Sequence, residues 1–320
     1  MTPATRAVWQ ISAGPATRSY ADLLLKHGVA LIGPGDAGPW SRERYSHDFS
    51  LQGFVGRFAD EIALGDVCLL RTGVASVEAV GIIASEYLYL EQFDDVNGWD
   101  LQHCRRVRWC ALPEEHTFAA RVFGATPTRC SRVLENEPID FAKRFVNSPP
   151  TRWQTAELPD LPPEGPPLED VPAVLQGLTA QAADLVPLLH DSQALGEPPS
   201  EDEMIGHFVV PFLRALGWPP EWIAVQWRRI DVAVFRALPR TPESCIFAIE
   251  AKRLGAGVEG ALDQVKGYAL GLGLSADLIV TDGIRYRMFA GRGDFEPVAY
   301  ANLARLKRPA AALFARMQRP

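Results

Sequence analysis

Arg229-Ile230-Asp231-Val232-Ala233-Val234-Phe235 and Cys245-Ile246-Phe247-Ala248-Ile249-Glu250-Ala251-Lys252-Arg253 read as two neighbouring strands, the second an apolar run that turns abruptly charged. A strand puts residues i and i+2 on one face. Glu250 and Lys252 therefore project side by side, while Ala251 points the other way. Asp231, on the preceding strand, reaches the same edge. Two carboxylates are hard oxygen ligands, and with an ammonium group beside them they suit a divalent-metal phosphodiesterase. The metal would bind the carboxylates and the scissile phosphate, and Lys252 would orient or activate the attacking water. The plain alternative is a strand end emerging into solvent, where Glu and Lys are commonplace. The surrounding chain has to decide between them.

At 320 residues the chain accommodates two domains, on a prior of roughly 100–200 residues each. An apolar share of 47% lets each half bury a core. The chain has no apolar run long enough to cross a bilayer, and Met1-Thr2-Pro3-Ala4-Thr5-Arg6 lacks a signal peptide's hydrophobic region, so no membrane is expected. Cysteines 68, 104, 110, 130 and 245 are odd in number and scattered. That argues against a disulfide framework and structural zinc, and makes the cytoplasm the natural compartment. The net charge of −7 does not favour nucleic acid, yet the charge is segregated. Acids crowd residues 149–172, whereas Arg105-Arg106-Val107-Arg108, Arg228-Arg229, Lys252-Arg253 and the tail from Arg305 to Arg319 are basic. A phosphate-binding surface is compatible with that pattern.

The N-terminal half predicts short strands over Ala7–Ile11, Val29–Gly33, Asp66–Arg71, Ala79–Ala84, Tyr87–Leu90 and Arg106–Trp109. Helices are expected over Tyr20–His27, capped by Gly28, and over Phe54–Ile62. Many strands with glycine-rich turns and few helices suggest a small barrel or a strongly curved sheet. The Gly65-Asp66 turn, Ala79-Val80-Gly81-Ile82, and Asp95-Val96-Asn97-Gly98-Trp99-Asp100 leading to Arg106-Val107-Arg108-Trp109 resemble the PUA-like superfamily, in particular its EVE-type members. The resemblance spans residues 5–145 and implies a barrel that reads an altered or flipped-out base, often a modified cytosine. A flipped base is held by aromatic stacking and edge hydrogen bonds. Trp9, Trp40, Tyr45, Phe49, Tyr87, Tyr89, Trp99 and Trp109 are candidate walls, against the ordinary expectation that barrel aromatics are core. Trp40, Tyr45 and Phe49 lie in or follow a polar, glycine-flanked stretch; with Trp99 they form the expected base site.

A short helix over 138–147 closes this domain, giving a reader domain at 1–148. The prolines from 149 to 172 exclude helix and central strand, so this stretch reads as an extended, semi-rigid linker. Residues 173–320 form the second domain, opening with a helix over Ala173–Leu189 that Pro187 is expected to cut or kink. Ser200-x-x-Glu203 is a capping box. The helix that follows carries Ile205, Phe208, Phe212 and Leu216 as a buried stripe, with Glu201 at its N-terminal end and His207 on the solvent side. A helix from about Val258 to Leu270 puts Gln264 and Tyr268 on one face. Asp277-Leu278-Ile279-Val280-Thr281-Asp282-Gly283 and Ile284-Arg285-Tyr286-Arg287-Met288-Phe289 read as two strands joined at a tight glycine turn.

Pro211-Phe212-Leu213-Arg214-Ala215-Leu216-Gly217-Trp218, Ile230-Asp231-Val232, Ile249-Glu250-Ala251-Lys252-Arg253, Gln264-x-x-x-Tyr268 and Val280-Thr281-Asp282-Gly283 follow one another in order. Together they resemble the PD-(D/E)xK nuclease superfamily, most closely the nuclease domain of type I restriction enzyme R subunits, over residues 198–292. Ile230 stands where the superfamily's name has proline, a common substitution. The resemblance implies an α/β restriction-endonuclease-like domain in which Asp231, Glu250 and the Ala251 carbonyl bind Mg²⁺, with Mn²⁺ as a substitute. It makes Lys252 the catalytic lysine and gives Gln264 and Tyr268 the task of positioning DNA or that lysine. Glu201 is the helix carboxylate joining the metal, with Glu203 as the fallback. The tail arginines read as a solvated or phosphate-tracking surface.

Joined, the halves give a β-rich PUA-like domain followed by a nuclease domain. That describes a modification-dependent restriction endonuclease acting on double-stranded DNA, as a homodimer at least on DNA. No G-x-x-x-x-G-K-[ST] motor motif occurs. The alternatives are a nuclease whose N-terminal half senses RNA or a signalling nucleotide, and a non-catalytic nucleic-acid binder on a relic nuclease fold.

Overall fold

Two separate sheets carry this mixed α/β chain. The computed structural model describes residues 6–14, 19–33, 35, 38–45, 49–96, 100–123, 130–148, 157–189, 199–254, 261–291 and 294–319. Contacts divide the chain into one unit of residues 1–94 and 100–163, and another of 95–99 and 164–320.

The first unit runs β1 (Val8–Ser12), α1 (Ala21–His27), β2 (Val29–Ile32) and α2 (Phe49–Gly56), the last continuing into a π-type turn at Arg57–Glu61. Then come β3 (Val67–Thr72), β4 (Ser76–Ile83), β5 (Leu88–Tyr89), β6 (His103–Thr117), β7 (Cys130–Arg132) and α3 (Asn136–Asn147). The sheet order is β2-β6-β4-β3-β1-β7, with β5 on β6, and it curls as a half-barrel. Its curl runs through β6, which gives His103–Arg106 to β2 and Val107–Thr117 to β4. Gly81 is needed on β4, because a Cβ there would meet Val107 Cγ1 at 2.4 Å and the Trp109 ring at 2.5 Å. Gly28 caps α1 in the left-handed region at φ 58°, as its position predicts.

Several sequence expectations change here. Trp9 and Trp109 are buried core residues whose indole N–H groups donate to Asp66 and to the Val29 carbonyl. Arg105 is buried and donates to the carbonyls of Phe58, Ala59 and Ser85. Arg106 donates to the Gly28, His27 and Pro159 carbonyls. A buried guanidinium must use its donors locally, so Arg105 offers no phosphate surface, while the half-buried Arg106 spends part of its donors on these carbonyls. Over its described part the proline-rich stretch makes a few hydrogen bonds. The Asp160 carbonyl accepts from His27 Nδ1 at 3.0 Å in the first unit, while Leu168 N–H donates to the Leu306 carbonyl in the second. Residues 149–156 lie outside the described ones.

The second unit begins with α4 (Ala173–Leu189), which continues past Pro187 instead of ending there. A helical run follows: α5 (Glu201–Met204), a π-type turn (Ile205–Val209) and α6 (Val210–Ala215). Next come β8 (Ile223–Trp227), β9 (Ile230–Phe235), β10 (Cys245–Ala251), α7 (Leu262–Leu272), β11 (Asp277–Thr281), β12 (Arg285–Phe289), β13 (Pro297–Asn302) and α8 (Ala310–Met317). The sheet order is β13-β12-β11-β10-β9-β8. Only the β10–β11 pair is parallel among these neighbours, and α7 makes the crossover that a parallel pair needs.

Both faces of β10 are covered, which is why its sequence is continuously apolar rather than alternating. Phe247, Ile249 and Ala251 pack with Phe208, Phe212 and Leu213 of the helical run, and Cys245 and Ala248 pack with Val265 and Ala269 of α7. Burying each large apolar side chain contributes about 1.5–3 kcal/mol, so β10 is anchored along its length up to the charged end. The basic tail belongs to this core: Ala310, Leu313, Phe314 and Met317 are buried along α8, and Arg319 stacks over Trp222 at 4.4 Å. The tail's Arg308, Arg316 and Arg319 are themselves exposed, as expected of a solvated basic face. No helix among the described residues is long and apolar enough to cross a membrane. All five cysteines are free and buried.

Candidate functional site

The antiparallel register of β9 and β10 pairs Val232 with Ile249 and Ala233 with Ala248. One step further along each strand stand Asp231 and Glu250, on the face that carries Ala248. Asp231 is fixed in place because its Oδ2 accepts the Ala251 N–H at 2.8 Å and its Oδ1 accepts from Gln226 Nε2 at 3.3 Å. Glu250 is 1% exposed. Its Oε1 accepts from Lys252 Nζ at 2.7 Å. Its Oε2 is buried with no hydrogen-bond partner among the described residues.

A buried carboxylate oxygen left bare costs free energy unless something compensates it. The electrostatics agree with the crowding. Burial holds the Glu250 carboxyl above its ordinary value; the Lys252 bond opposes this, and the charges of Asp231 and Glu201 add to it. Burial works against the Lys252 ammonium, yet Glu250, Glu201 and Asp231 outweigh it and raise the lysine above its usual range. Lys252 is therefore a cation at neutral pH.

Asp231, Glu250 and Lys252 thus meet at one strand end, with Glu201 acting on them electrostatically. Glu203 does not join them. It is exposed and closes the capping box, with Ser200 N–H donating to its Oε2 at 2.7 Å and its own N–H donating to Ser200 Oγ at 3.2 Å. His207 is exposed. On α7, Gln264 Nε2 donates to the Tyr268 hydroxyl at 3.3 Å, and the described residues show no hydrogen bond from either to the strand-end acids. Among the described residues, no three or more His, Cys, Asp or Glu side chains gather as a metal cage. Two carboxylates and a backbone carbonyl nevertheless fit Mg²⁺, which keeps several waters and binds through one or two carboxylates plus substrate phosphate. The bare Oε2 of Glu250 is the observation that favours a cation there.

Gln226 had no signal in the sequence. It precedes the β8–β9 turn and has a left-handed backbone at φ 54°, as do Arg228 at 50° and Arg229 at 74°. Such a conformation costs a non-glycine residue roughly 1–2 kcal/mol. Local strain of this kind clusters at functional sites.

A second constellation lies in the first unit. Tyr45 is 1% exposed, and its hydroxyl contacts the Gly38 carbonyl at 2.8 Å and His103 Nε2 at 2.9 Å. The other ring nitrogen of His103 meets the Tyr87 hydroxyl at 2.7 Å, which also accepts the Trp40 N–H at 2.9 Å. Tyr89 donates to the Gly35 carbonyl at 2.6 Å, and its ring stands edge-on to His103. Trp40 is half-buried, 5.4 Å from the Tyr45 ring, with its indole N–H on Asp60. Burial pushes the Tyr87 hydroxyl up to about 12. Tyr45 is therefore held inside this cluster by its hydroxyl and offers almost no exposed ring. The Phe49 side chain and Trp99 lie outside the described residues. His103, the hub of this cluster, was missed because a single histidine at a strand start carries no spacing signal. Gln102 Oε1 beside it is buried without a hydrogen-bond partner among the described residues.

The family described as Domain of unknown function (DUF8426) matches residues 9–122. No curated protein matches the chain. Among solved structures, the chain is similar to the fragment structure of a putative HsdR subunit of a type I restriction enzyme from Vibrio vulnificus YJ016. The identity is 21% over 37% of this chain, the TM-score is 0.27, and the match spans 25% of that chain.

Proposed function

We propose that this protein is a Mg²⁺-dependent endodeoxyribonuclease that cuts DNA after recognising a modified base, as a modification-dependent restriction enzyme does. The observation that carries it is the strand end: a fixed Asp231, a buried Glu250 with one bare oxygen, and a cationic Lys252 bonded to its other oxygen. Asp231, Glu250 and the Ala251 carbonyl would hold Mg²⁺, or Mn²⁺ in its place. Bound there, the ion supplies Lewis-acid activation of water and neutralises phosphate charge. Lys252 places a second positive charge beside the scissile phosphate and orients the attacking water. The water oxygen bonds to phosphorus as the bond to the 3′ oxygen breaks. That oxygen takes up a proton, leaving a 3′-hydroxyl and a 5′-phosphate. Gln264 and Tyr268 are assigned to the DNA backbone, and Glu201 to the field of the site.

The PUA-like reading of the first unit gives the recognition step. Trp40 and the tyrosines around His103 supply aromatic faces and hydrogen-bonding edges, the two things a flipped base requires. Cutting both strands takes two nuclease sites, so the active form on DNA is a homodimer. The test is cleavage of matched duplexes, cytosine-modified and plain, with Mg²⁺ or with chelator. The modified duplex should be cut only with Mg²⁺, and Lys252→Ala should slow cutting by about 100-fold or more. Equal cutting of both duplexes removes the modified-base reading, and full activity of Lys252→Ala removes the site.

A further inference from the structure

Trp227 pairs with Ile230, so Arg228 and Arg229 are the whole tip of the β8–β9 hairpin. Both have positive φ, as a two-residue type I′ turn demands. Asn-Gly is the pair that meets this demand with least strain. The chain keeps two exposed arginines there instead, a choice that stability does not explain.

The two guanidinium groups are differently held. That of Arg228 lies 5.0 Å from the Trp227 ring, which in turn stands edge-on against Phe235 at 5.0 Å. The exposed Glu243 carboxyl, lowered first by its bond with Thr241, also feels Arg228. Arg229 is exposed and makes no hydrogen bond or ion pair among the described residues. Asp231 follows Arg229 by two residues, so their Cα atoms are at most about 7 Å apart. Gln226, just before the tip, bonds Asp231 directly. Successive phosphates of one DNA strand advance about 3.4 Å along the axis. A backbone phosphate held at this tip would therefore lie one to a few nucleotides from a phosphate at Glu250.

We propose that the Arg228–Arg229 tip is the surface that grips the DNA phosphate backbone beside the strand-end site. It rests on the nuclease reading and adds to it the residues that hold the substrate. The test is the full-length Arg228→Asn/Arg229→Gly protein, compared with the parent for duplex DNA binding over a salt series, with Ca²⁺ replacing Mg²⁺. Affinity should fall about tenfold or more, and the slope of log K against log salt should become shallower by about 1–2. Relief of the left-handed strain should raise Tm, and Mn²⁺ affinity should be unchanged. Parent-like affinity and slope would overturn the tip proposal alone. Loss of Mn²⁺ affinity would overturn it too, by showing that the tip acts on the metal site. A parent protein that binds Mn²⁺ but no DNA at low salt would overturn the tip and the nuclease reading together.

Discussion

Glu250 is the residue on which the site turns, because its requirements when bare and when occupied are opposite. Without a cation, burial favours its protonated form. Between the ordinary carboxylate value and its raised value, the folded state binds more protons than the unfolded state, so stability falls as pH rises through that window. Glu250→Gln has no charge to bury. Its metal-free Tm at neutral pH should exceed that of the parent, and the gap should close as pH falls below the ordinary carboxylate range; thermal melts across pH check this. Lys252 has the same sign in a higher pH window. Its folded value is raised, so the stability it contributes is complete below its ordinary value and is lost as pH rises through the folded one. Cleavage should consequently weaken in strong alkali even where Glu250 is fully ionised.

At the scale of elements, the strand end is built by register and held by neighbours that never touch a substrate. Gln226→Ala removes the side-chain bond to Asp231 Oδ1. It should weaken Mn²⁺ binding several-fold with little change in Tm, since the bond is solvent-exposed and worth about 1 kcal/mol. Ser200→Ala breaks the capping box under Glu201 and should cost about 1 kcal/mol, read as a lowered midpoint in urea. In the curled sheet, Gly81→Ala forces a Cβ into Val107 and Trp109. Overpacking of this kind costs about 1–3 kcal/mol, and the loss should leave Mn²⁺ binding by the second unit intact.

Across the whole molecule, what the sequence made legible follows the strength of its periodic patterns. The buried strands around Asp231 and Glu250, the Ile205–Leu216 stripe and the Gly28 cap stand where the residues place them. The last strand and α8 were obscured because arginines dominate the tail's composition, although Ala310, Leu313, Phe314 and Met317 keep helical spacing. The roles of Gln226 and His103 were not legible, since each depends on which residue a neighbouring strand brings opposite. Arg105 looked like a phosphate ligand because composition records charge and not burial.

The claim that organises all of this is a divalent-cation site at the end of β9 and β10. Calorimetric titration of Mn²⁺ into the parent, Asp231→Asn and Glu250→Gln proteins tests it directly. The parent should bind at that site with an affinity that both substitutions abolish, while each variant stays folded. No binding by the parent, or binding that survives both substitutions, would contradict it.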